Sequence, residues 1–589
     1  MSGTKLFFIT VLGVVVGLFA FIILLFSVIA SIATALTAGG GEPDVPVVLE
    51  IDLRDNLIDS PVTPTLFGED PPSVVAIVRS LERAKTDDDV KGVFIRGESF
   101  GMAPASAEEL RLALIDFRGS GKFVVTHAQG LGSTSILPYH AISASDEIWL
   151  QAGSTVATAG LYSQMPFYRG VLDKIDAQPQ FFRHGDYKTA VNSYTETGPT
   201  PAQIEARSSL LSAIFDETVE NIATDRGLTR DALLRLLGTA PRGAADAVEV
   251  GLADRLGYLE EARDHVAELA GDEDTRFESV TDYRARPKIG KPVIALIEGQ
   301  GTILPGESGG DGLFNAATNI GGETLAGNLE DALDDEDVKA VVLRISSGGG
   351  SPAASDQIRA AVLRVQAAGK PVVVSMGQYA ASGGYYIAAP ADHIVALPQT
   401  ITGSIGIFGG KVALEETFAN VGYNIEAIRI GGEYAGAYSA DEPFTEAQAE
   451  AYARDIERMY EDFLAVVAEG RDMTRDEVFA VAERRVWTGT QALERDLVDE
   501  LGGFDTALAA AKRLAEIDAD ADVHIKRFPR PKSREEMFNE LLSGSAAVGS
   551  DLEALSAVMR KPEVQALLRA REALGTQGQE MQAQLPVIR

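Results

Sequence analysis

Two side chains in this sequence have the chemical types needed for nucleophilic catalysis, although they stand far apart in the chain. Ser382 lies in the glycine- and alanine-rich stretch "GQYAASGGYYIAAP" (377–390), and Lys188 lies in "GDYKTA". A serine hydroxyl needs a base to take its proton, and the neutral amine of lysine can serve as that base. The pKa of the lysine must then fall from about 10.4 towards about 7–8, which burial away from carboxylates provides. Asp186 complicates this interpretation, because in an extended segment its side chain points to the same side as that of Lys188.

Glycines beside the serine supply a second element of such a site. The turn "SSGGGSP" contains Gly349 and Gly350, and Gly383 follows Ser382 directly. Glycine lets the backbone approach a ligand closely, so the N–H groups of these three residues are candidate donors to an oxyanion. A serine–histidine triad is disfavoured, because Ala380 stands where the first glycine of a G-x-S-x-G motif belongs.

An internal repeat explains why the serine and the lysine are so far apart. The segment "DDDVKGVFIRG" (87–97) recurs as "DEDVKAVVLRI" (335–345), and "GKFVVTHAQG" (121–130) recurs as "GKPVVVSMGQ" (369–378). Further segments recur in the same order, all at a spacing of about 246 residues. The pattern predicts two copies of one domain.

The two copies retain different parts of the site. The first copy lacks the "AASGGYY" stretch around Ser382, and the second copy has Ala435 where the first has Lys188. A complete serine–lysine pair therefore requires the two copies to pack together, with one group from each. If the base lay in the same copy as the serine, His393 and Lys411 would be the first candidates.

Hydrophobic patterning predicts the elements that hold these residues. The runs "VKAVVLRI" and "KPVVVSM" read as buried strands with the helix "AASDQIRAAVLRVQAAG" between them, which is typical of a parallel sheet. Two long amphipathic helices are predicted at 200–227 and 445–472. The predicted α/β chain comprises an anchor and linker (1–45), a first copy (46–285), a second copy (286–520) and a helical tail (521–589).

Composition excludes several classes of function. The chain has 589 residues, of which 46% are hydrophobic, so it can form several domains. A net charge of −34 disfavours nucleic acid as a partner. The absence of cysteine excludes disulfides, thiolate metal ligands and a cysteine nucleophile. Because the sequence also has no histidine cluster, we predict neither a metal site nor a cofactor.

The N-terminal segment predicts a membrane anchor. Residues 6–36 carry no charge, and this run exceeds the roughly 20 residues that a membrane-spanning helix needs. It is also longer than the roughly 7–15 apolar residues of a cleavable signal. Lys5 favours a cytoplasmic N-terminus, with the remainder on the periplasmic or outer side of a bacterial plasma membrane. The small residues of "ATALTA" leave a cleaved signal peptide as the alternative.

Several motifs resemble one family of membrane proteases. The segments "VVLRISSGGGSPAASDQIR", "AASGGYYIAAPADHIVA", "TGSIGIFG", "FFRHGDYKTAVNSYT" and "VWTGTQALERDLVDELGG" are similar to the signal peptide peptidase A (protease IV) family in its long, two-copy bacterial form. The resemblance covers about 46–520 and extends to the anchor. It implies tandem domains of the Clp-protease/crotonase type. It also implies a serine endopeptidase that cleaves membrane-derived peptides such as remnant signal peptides.

The resemblance also implies roles for individual residues. Ser382 becomes the nucleophile, Lys188 the general base, and Ser404 in "TGSIG" the residue that orients the lysine. Hydrophobic substrate side chains and a homo-oligomer, a tetramer, are further implications. Gly348 and Ser346 depart from the proline and asparagine usual in the oxyanion loop, which leaves the oxyanion donors open. Two other functions also stay open: an acyl-CoA enzyme of crotonase fold, and an inactive membrane scaffold.

Overall fold

The structure is a computed structural model. It describes residues 45–55, 57–61, 72–97, 101–183, 187–283, 291–309, 319–482, 485–530 and 536. The predicted membrane anchor and most of the predicted helical tail lie outside these residues. Within them, no helix combines the length and the apolar character that crossing a bilayer requires.

Each copy is built on a parallel sheet with the same strand order. The strands are β1 Val47–Asp52, β2 Val90–Arg96, β3 Phe123–Ala128, β4 Glu147–Leu150, β5 Thr155–Val156, β6 Gln178–Arg183, β7 Arg242–Gly243, β8 Arg255–Leu256, β9 Arg276–Ser279, β10 Val293–Gln300, β11 Thr302–Leu304, β12 Asn319–Gly321, β13 Val338–Ser347, β14 Val372–Ala381, β15 His393–Ala396, β16 Ile401–Gly403, β17 Phe408–Ala413, β18 Val486–Thr488, β19 Glu500–Leu501 and β20 His524–Phe528. The first sheet runs β8-β4-β3-β2-β1-β9, and the corresponding strands of the second sheet run β19-β15-β14-β13-β10-β20. The second sheet also includes β16, which pairs with β14, and β18, which pairs with β16.

Helices cover the sheets and connect their strands. They are α1 Val74–Ala84, α2 Pro104–Gly119, α3 Leu137–Ile142, α4 Arg169–Lys174, α5 Asn192–Thr195, α6 Pro201–Asp225, α7 Arg230–Leu237, α8 Ala244–Glu249, α9 Leu259–Ala270, α10 Gly322–Asp334, α11 Pro352–Ala367, α12 Gly383–Ala388, α13 Glu415–Asn420, α14 Glu446–Gly470, α15 Arg475–Ala482, α16 Gly489–Leu493 and α17 Phe504–Leu514.

The predicted strand–helix–strand unit is confirmed. β13 and β14 are almost wholly buried, as expected for parallel strands that are covered on both faces. The intervening α11 begins at Pro352 and is capped by Ser351, whose hydroxyl accepts the N–H of Ala354. The two predicted long helices correspond to α6 and α14, each capped by a threonine.

The two copies are joined by direct pairing and by a shared core. β17 of the second copy pairs antiparallel with β6 of the first, from Phe408 opposite Arg183 to Ala413 opposite Gln178. Helix α6 of the first copy contacts β18 of the second. One hydrophobic core includes both first-copy and second-copy side chains, such as Leu114 and Phe504. The copies therefore form a single packed unit.

A buried ionic group also joins the copies. Arg344 on β13 is wholly buried, and its guanidinium lies 2.6 Å from carboxylate oxygens of Asp59 and Glu109, both of the first copy. Glu109 also accepts the N–H of Phe504 at 2.8 Å. Burial alone would lower the pKa of Arg344, but the two carboxylates raise it above its usual value. Because an unpaired buried charge is costly, this group fixes how the copies dock.

The second sheet extends beyond the predicted domain boundary. β20 pairs with β10, although sequence analysis ended the second copy at residue 520 and began a helical tail there. The sequence "HIKRF" is mostly polar and partly exposed, which suits the position of β20 at the edge of the sheet. The second copy therefore includes residues up to Phe528.

Candidate active site

Ser382 occupies a strained turn between a strand and a helix. It follows β14 directly and is the N-cap residue of α12, with φ 54° and ψ −119°. A residue other than glycine rarely adopts positive φ, and such strain persists only where surrounding bonds hold it. Here the N–H of Ser382 donates to the carbonyl of Gly403 at 2.9 Å, and its own carbonyl accepts the N–H of Tyr386 at 2.9 Å. These bonds fix the hydroxyl at the end of β14.

Lys188 reaches this hydroxyl from the first copy. Its side-chain Nζ lies 3.1 Å from Ser382 Oγ, 2.9 Å from Ser404 Oγ and 3.0 Å from the Ser404 carbonyl oxygen. The structure thus brings together the three residues that sequence analysis singled out as nucleophile, base and lysine-orienting serine. The serines come from the second copy and the lysine from the first.

Burial changes the acidity of this lysine. Lys188 is only 5% exposed, and burial lowers the pKa of its ammonium to about 7, because the charged form loses its hydration there. No charged side chain among the described residues offsets the effect. Asp186, which sequence analysis identified as a complication, lies outside the described residues. At neutral pH a large fraction of the amine therefore carries no proton.

The turn at Ser404 holds the amine. Ser404 follows β16 and has φ 52°, and its N–H donates to the carbonyl of Arg485 at 2.8 Å. A neutral lysine amine has two N–H donors and one lone pair. If both donors go to the hydroxyl and the carbonyl of Ser404, the lone pair is left for the hydroxyl proton of Ser382. The three contacts of Nζ therefore match the needs of a general base.

The predicted oxyanion glycines lie beside the serine. Gly349 and Gly350 have φ of 102° and 157°, and a Cβ on Gly349 would lie 2.7 Å from the Gly383 nitrogen. A Cβ on Gly383 would in turn lie 3.2 Å from the Gly350 nitrogen. The N–H of Gly349 donates to Ser347 Oγ at 3.1 Å. The N–H groups of Gly350 and Gly383 have no acceptor among the residues that the structure describes.

The alternative bases are engaged elsewhere. His393 contacts the carboxylate of Glu500 at 2.9 Å. The ammonium of Lys411 donates to the carbonyls of Ala437 and Ser439 at 2.9 and 2.7 Å. Of the three candidate bases, Lys188 is the one that contacts Ser382.

One cluster of three carboxylates in the described part of the chain is close enough together to hold a metal ion. Glu82, Asp116 and Asp505 lie on α1, α2 and α17, away from the elements that carry the serine and the lysine. The ammonium of Lys85 already lies 2.5 Å from both Glu82 and Asp116. A cationic side chain thus already binds two of the three carboxylates.

The residues that hold the elements of the site together were not predicted from the sequence. Glu205 on α6 accepts hydrogen bonds from Tyr187, the neighbour of Lys188, and from Arg485, the neighbour of β18. The sequence offered one signal: Tyr187 lies within the motif "GDYKTA", and Arg485 directly precedes the motif "VWTGTQALERDLVDELGG". Nothing in the spacing of the three residues indicates that they meet.

Comparison with known proteins agrees with this geometry. A model of peptidase family S49 matches residues 117–272 and 364–518, one segment in each copy. The chain belongs to this family. Two matched segments confirm the predicted repeat, and the family makes the protein a serine protease.

Relatives of this S49 protease extend over most of its length. It is 30% identical to Protease 4 of Salmonella typhi over 576 residues, which is 92% of this chain and 90% of the relative. It is also 30% identical to Protease 4 of Haemophilus influenzae over 518 residues, 83% of this chain and 82% of the relative. Serine protease SPPA, chloroplastic, of Arabidopsis thaliana is 29% identical over 488 residues, 81% of this chain and 71% of that protein.

The buried lysine should make the S49 protease less stable at neutral pH than in alkali. Between pH 7 and the ordinary lysine pKa, the unfolded chain binds a proton that the folded chain does not, so stability rises with pH. Replacement Lys188→Met removes this term and should stabilise the fold by about 4 kcal/mol at pH 7, with the gain vanishing near pH 11. Thermal unfolding midpoints measured across this range test the expectation.

The matched control is Ser382→Ala, which keeps the lysine and should keep the rise of stability with pH. A Lys188→Met protein no more stable than wild type at pH 7 would contradict a buried, depressed lysine.

Proposed function

We propose that this S49 protease is a membrane-anchored endopeptidase in which Ser382 is the nucleophile and Lys188 the general base. The observation that carries the proposal is the 3.1 Å contact between Lys188 Nζ and Ser382 Oγ, at a lysine whose burial lowers its pKa to about 7. A base within hydrogen-bond reach and with a pKa near the working pH is what general-base catalysis needs.

Acylation follows from the contacts of the three side chains. The neutral amine of Lys188 takes the proton of Ser382 as Oγ attacks the carbonyl carbon of the substrate. Ser404 holds the amine by its hydroxyl and its carbonyl, so that the lone pair stays directed at Ser382. The lysine then gives its proton to the leaving nitrogen, the C–N bond breaks, and the acyl group remains on Ser382. The same amine then takes a proton from a water molecule whose oxygen attacks the acyl carbon. The ester C–O bond breaks, the lysine returns the proton to Ser382 Oγ, and the acid product leaves.

Two backbone N–H groups suit the negative charge that develops on the substrate oxygen. Those of Gly383 and Gly350 lie beside Ser382 and lack acceptors among the described residues. Removal of one such donor typically costs 10²–10³-fold in rate. Gly349, the third glycine predicted for this role, already donates its N–H to Ser347. Because it has no Cβ, it lets the loop lie close to Ser382.

Substrate and location rest on the family resemblance and on the N-terminal segment. The proposed substrates are membrane-derived peptides such as cleaved signal peptides, with hydrophobic side chains preferred. The uncharged run 6–36 supports a single anchor in a bacterial plasma membrane, with both copies on its periplasmic or outer side. The proposed domain type is that of Clp protease and crotonase, which also hosts acyl-CoA enzymes.

Activity of defined variants tests the function. Ser382→Ala should abolish peptide hydrolysis, because it removes the hydroxyl that forms the acyl-enzyme. Lys188→Arg should be nearly as damaging, since guanidinium stays protonated at any working pH. The wild-type rate should rise with pH, with a midpoint near 7, as Lys188 loses its proton. Hydrolysis of a hydrophobic peptide substrate is measured from pH 5 to pH 10.

Two controls separate the alternatives. A serine-directed fluorophosphonate should label the wild type and not Ser382→Ala, whereas an inactive scaffold would not react. An acyl-CoA thioester should not be turned over; preference for it over peptides would favour the crotonase-type enzyme. Peptide hydrolysis by Ser382→Ala within tenfold of wild type would contradict the assignment.

The proposal includes a homo-oligomer, and the pairing between the copies suggests how it forms. β6 of the first copy pairs with β17 of the second. At the repeat spacing, the counterpart of β17 is 162–167 in the first copy, and the counterpart of β6 is 425–430 in the second. The alignment is supported by α4 and α13, which are each followed by one residue of positive φ, Asp176 and Gly422.

These two counterparts present exposed apolar side chains. Residues 425–430 form no strand with any other described segment, and Ile428 and Ile430 are 92% and 91% exposed. In the first copy Tyr162 is 62% exposed. Pairing of 425–430 in one chain with 162–167 in the next would repeat the β6–β17 contact between chains. Such a head-to-tail contact closes into a ring, proposed here to contain four chains.

Engineered cysteines test this contact, and the natural chain contains none to interfere. Lys411 faces Gln180 in the observed pair, so Met165 of one chain should face Ala427 of the next. Facing residues on paired strands lie about 4.5–5.5 Å apart, within the reach of a disulfide. The double variant Met165→Cys with Ala427→Cys should therefore form covalent multimers on mild oxidation, seen by electrophoresis without reductant.

Each single variant is the control and should stay monomeric in that assay. Covalent dimers of Ala427→Cys alone would indicate a two-fold contact instead. No cross-linking of the double variant would contradict the head-to-tail ring.

A further inference from the structure

A polar bridge crosses the seam between the copies beside the lysine. Tyr187 donates its hydroxyl proton to one carboxylate oxygen of Glu205 at 2.5 Å, and Arg485 donates to the other at 2.7 Å. Tyr187 and Glu205 belong to the first copy, and Arg485 belongs to the second. Hydrogen bonds from Tyr187 and Arg485 hold the pKa of Glu205 below its usual range, so the carboxylate is charged at neutral pH. The bridge thus links the segment that carries Lys188 to the opposite copy.

The backbone of Arg485 supports Ser404, which is the second serine that Lys188 contacts. The carbonyl of Arg485 accepts the N–H of Ser404 at 2.8 Å. Its guanidinium lies 5.0 Å from the ring of Trp487 and 5.7 Å from that of Tyr187. Trp487 is fixed in turn, because its ring N–H donates to the carbonyl of Val481 at 3.0 Å. One residue therefore holds Ser404 through its backbone and the lysine segment through its side chain.

We propose that Arg485, acting through Glu205, is a positioning residue that presses the Lys188 segment against the Ser404 turn and keeps water away from Lys188 Nζ. The inference rests on the serine–lysine function proposed above. Arg485 and Glu205 do not contact the substrate in this proposal. They affect catalysis by controlling the position and the hydration of the Lys188 amine.

Charged side chains on the described elements next to the lysine segment are already bound. Arg183 on β6 donates to Asn192, and Lys411 on β17 donates to two backbone carbonyls. On α6 and before β18, Glu205 and Arg485 are bound to each other. Loss of the bridge therefore changes two things: the hydration of Lys188 Nζ and the charge left on Arg485.

These two changes shift the lysine pKa in opposite directions. Water reaching Nζ stabilises the ammonium and raises the pKa towards its usual value. An unpaired positive charge on Arg485 disfavours the ammonium and lowers the pKa. The direction of the shift thus separates positioning and exclusion of water from a simple effect of charge.

The experiment compares pH profiles of kcat and kcat/KM for three variants of the full chain. Glu205→Ala should lower kcat at pH 7 about tenfold or more, because a misplaced catalytic group loses rate steeply. The midpoint of its profile should rise by about one pH unit, with KM little changed. Glu205→Gln keeps an acceptor for Arg485 and the size of the side chain but removes the negative charge, so its midpoint should stay at or below the wild-type value and should not rise. Glu461→Ala is the matched control, since it breaks an arginine–glutamate pair of similar geometry, with Arg475 at 2.6 Å, within the second copy.

Fluorophosphonate labelling gives the active fraction of each preparation, so that a partly unfolded variant is not mistaken for a slow one. A Glu205→Ala profile with the wild-type midpoint would overturn the proposal and leave the bridge a purely structural role. A lower midpoint would also overturn it, in favour of the charge effect. Failure of the serine–lysine mechanism itself would appear differently, as activity that survives Ser382→Ala or Lys188→Arg.

Discussion

Removal of water from the ammonium group of Lys188 is the constraint on which the rest of the site depends. The lysine can act as a base only if its pKa falls by several units, and in this structure burial alone lowers it to about 7. The lysine comes from one copy and its surroundings, including Ser404 and Phe408, come from the other. The two copies must therefore dock closely and in one arrangement.

Three different interactions impose that arrangement. The β6–β17 pairing fixes the register of the strand before the lysine segment against the strand after the Ser404 turn. The buried guanidinium of Arg344 requires carboxylates of the first copy at one position in the core of the second. Arg485 connects the Ser404 turn to α6 by its bond with Glu205. None of these groups contacts Ser382, yet each determines how closely the lysine approaches it.

The repeat also shows where backbone strain is retained. Ser382 has φ 54°, whereas its counterpart Ile136, the N-cap residue of α3, has φ −75°. Ser404 has φ 52°, whereas its counterpart Thr158 is not among the residues of positive φ. The same fold accommodates relaxed residues at both positions. The strain is therefore present only in the copy that carries the serine, as expected where it serves a function.

Much of the site could be predicted because the copies differ at informative positions. The repeat, the loss of lysine at Ala435 and the serine turn indicated a site shared between copies, and the hydrophobic runs predicted β13, β14 and the helices beside them. The partners of Arg344 could not be predicted, because Asp59 and Glu109 are 285 and 235 residues away from it. The available signal was an arginine within an otherwise apolar strand, which requires a buried acid but does not say which one. β20 was missed because a five-residue edge strand carries little pattern.

Direct titration of Lys188 tests the central claim. The protein can be labelled with ¹³C at lysine Cε, and the signal of Lys188 assigned as the one absent from Lys188→Met. Its chemical shift, followed by NMR from pH 5 to pH 11, should titrate with a midpoint near 7. A midpoint near the ordinary lysine value of about 10.4 would contradict the account, because the amine would then be protonated wherever the enzyme works.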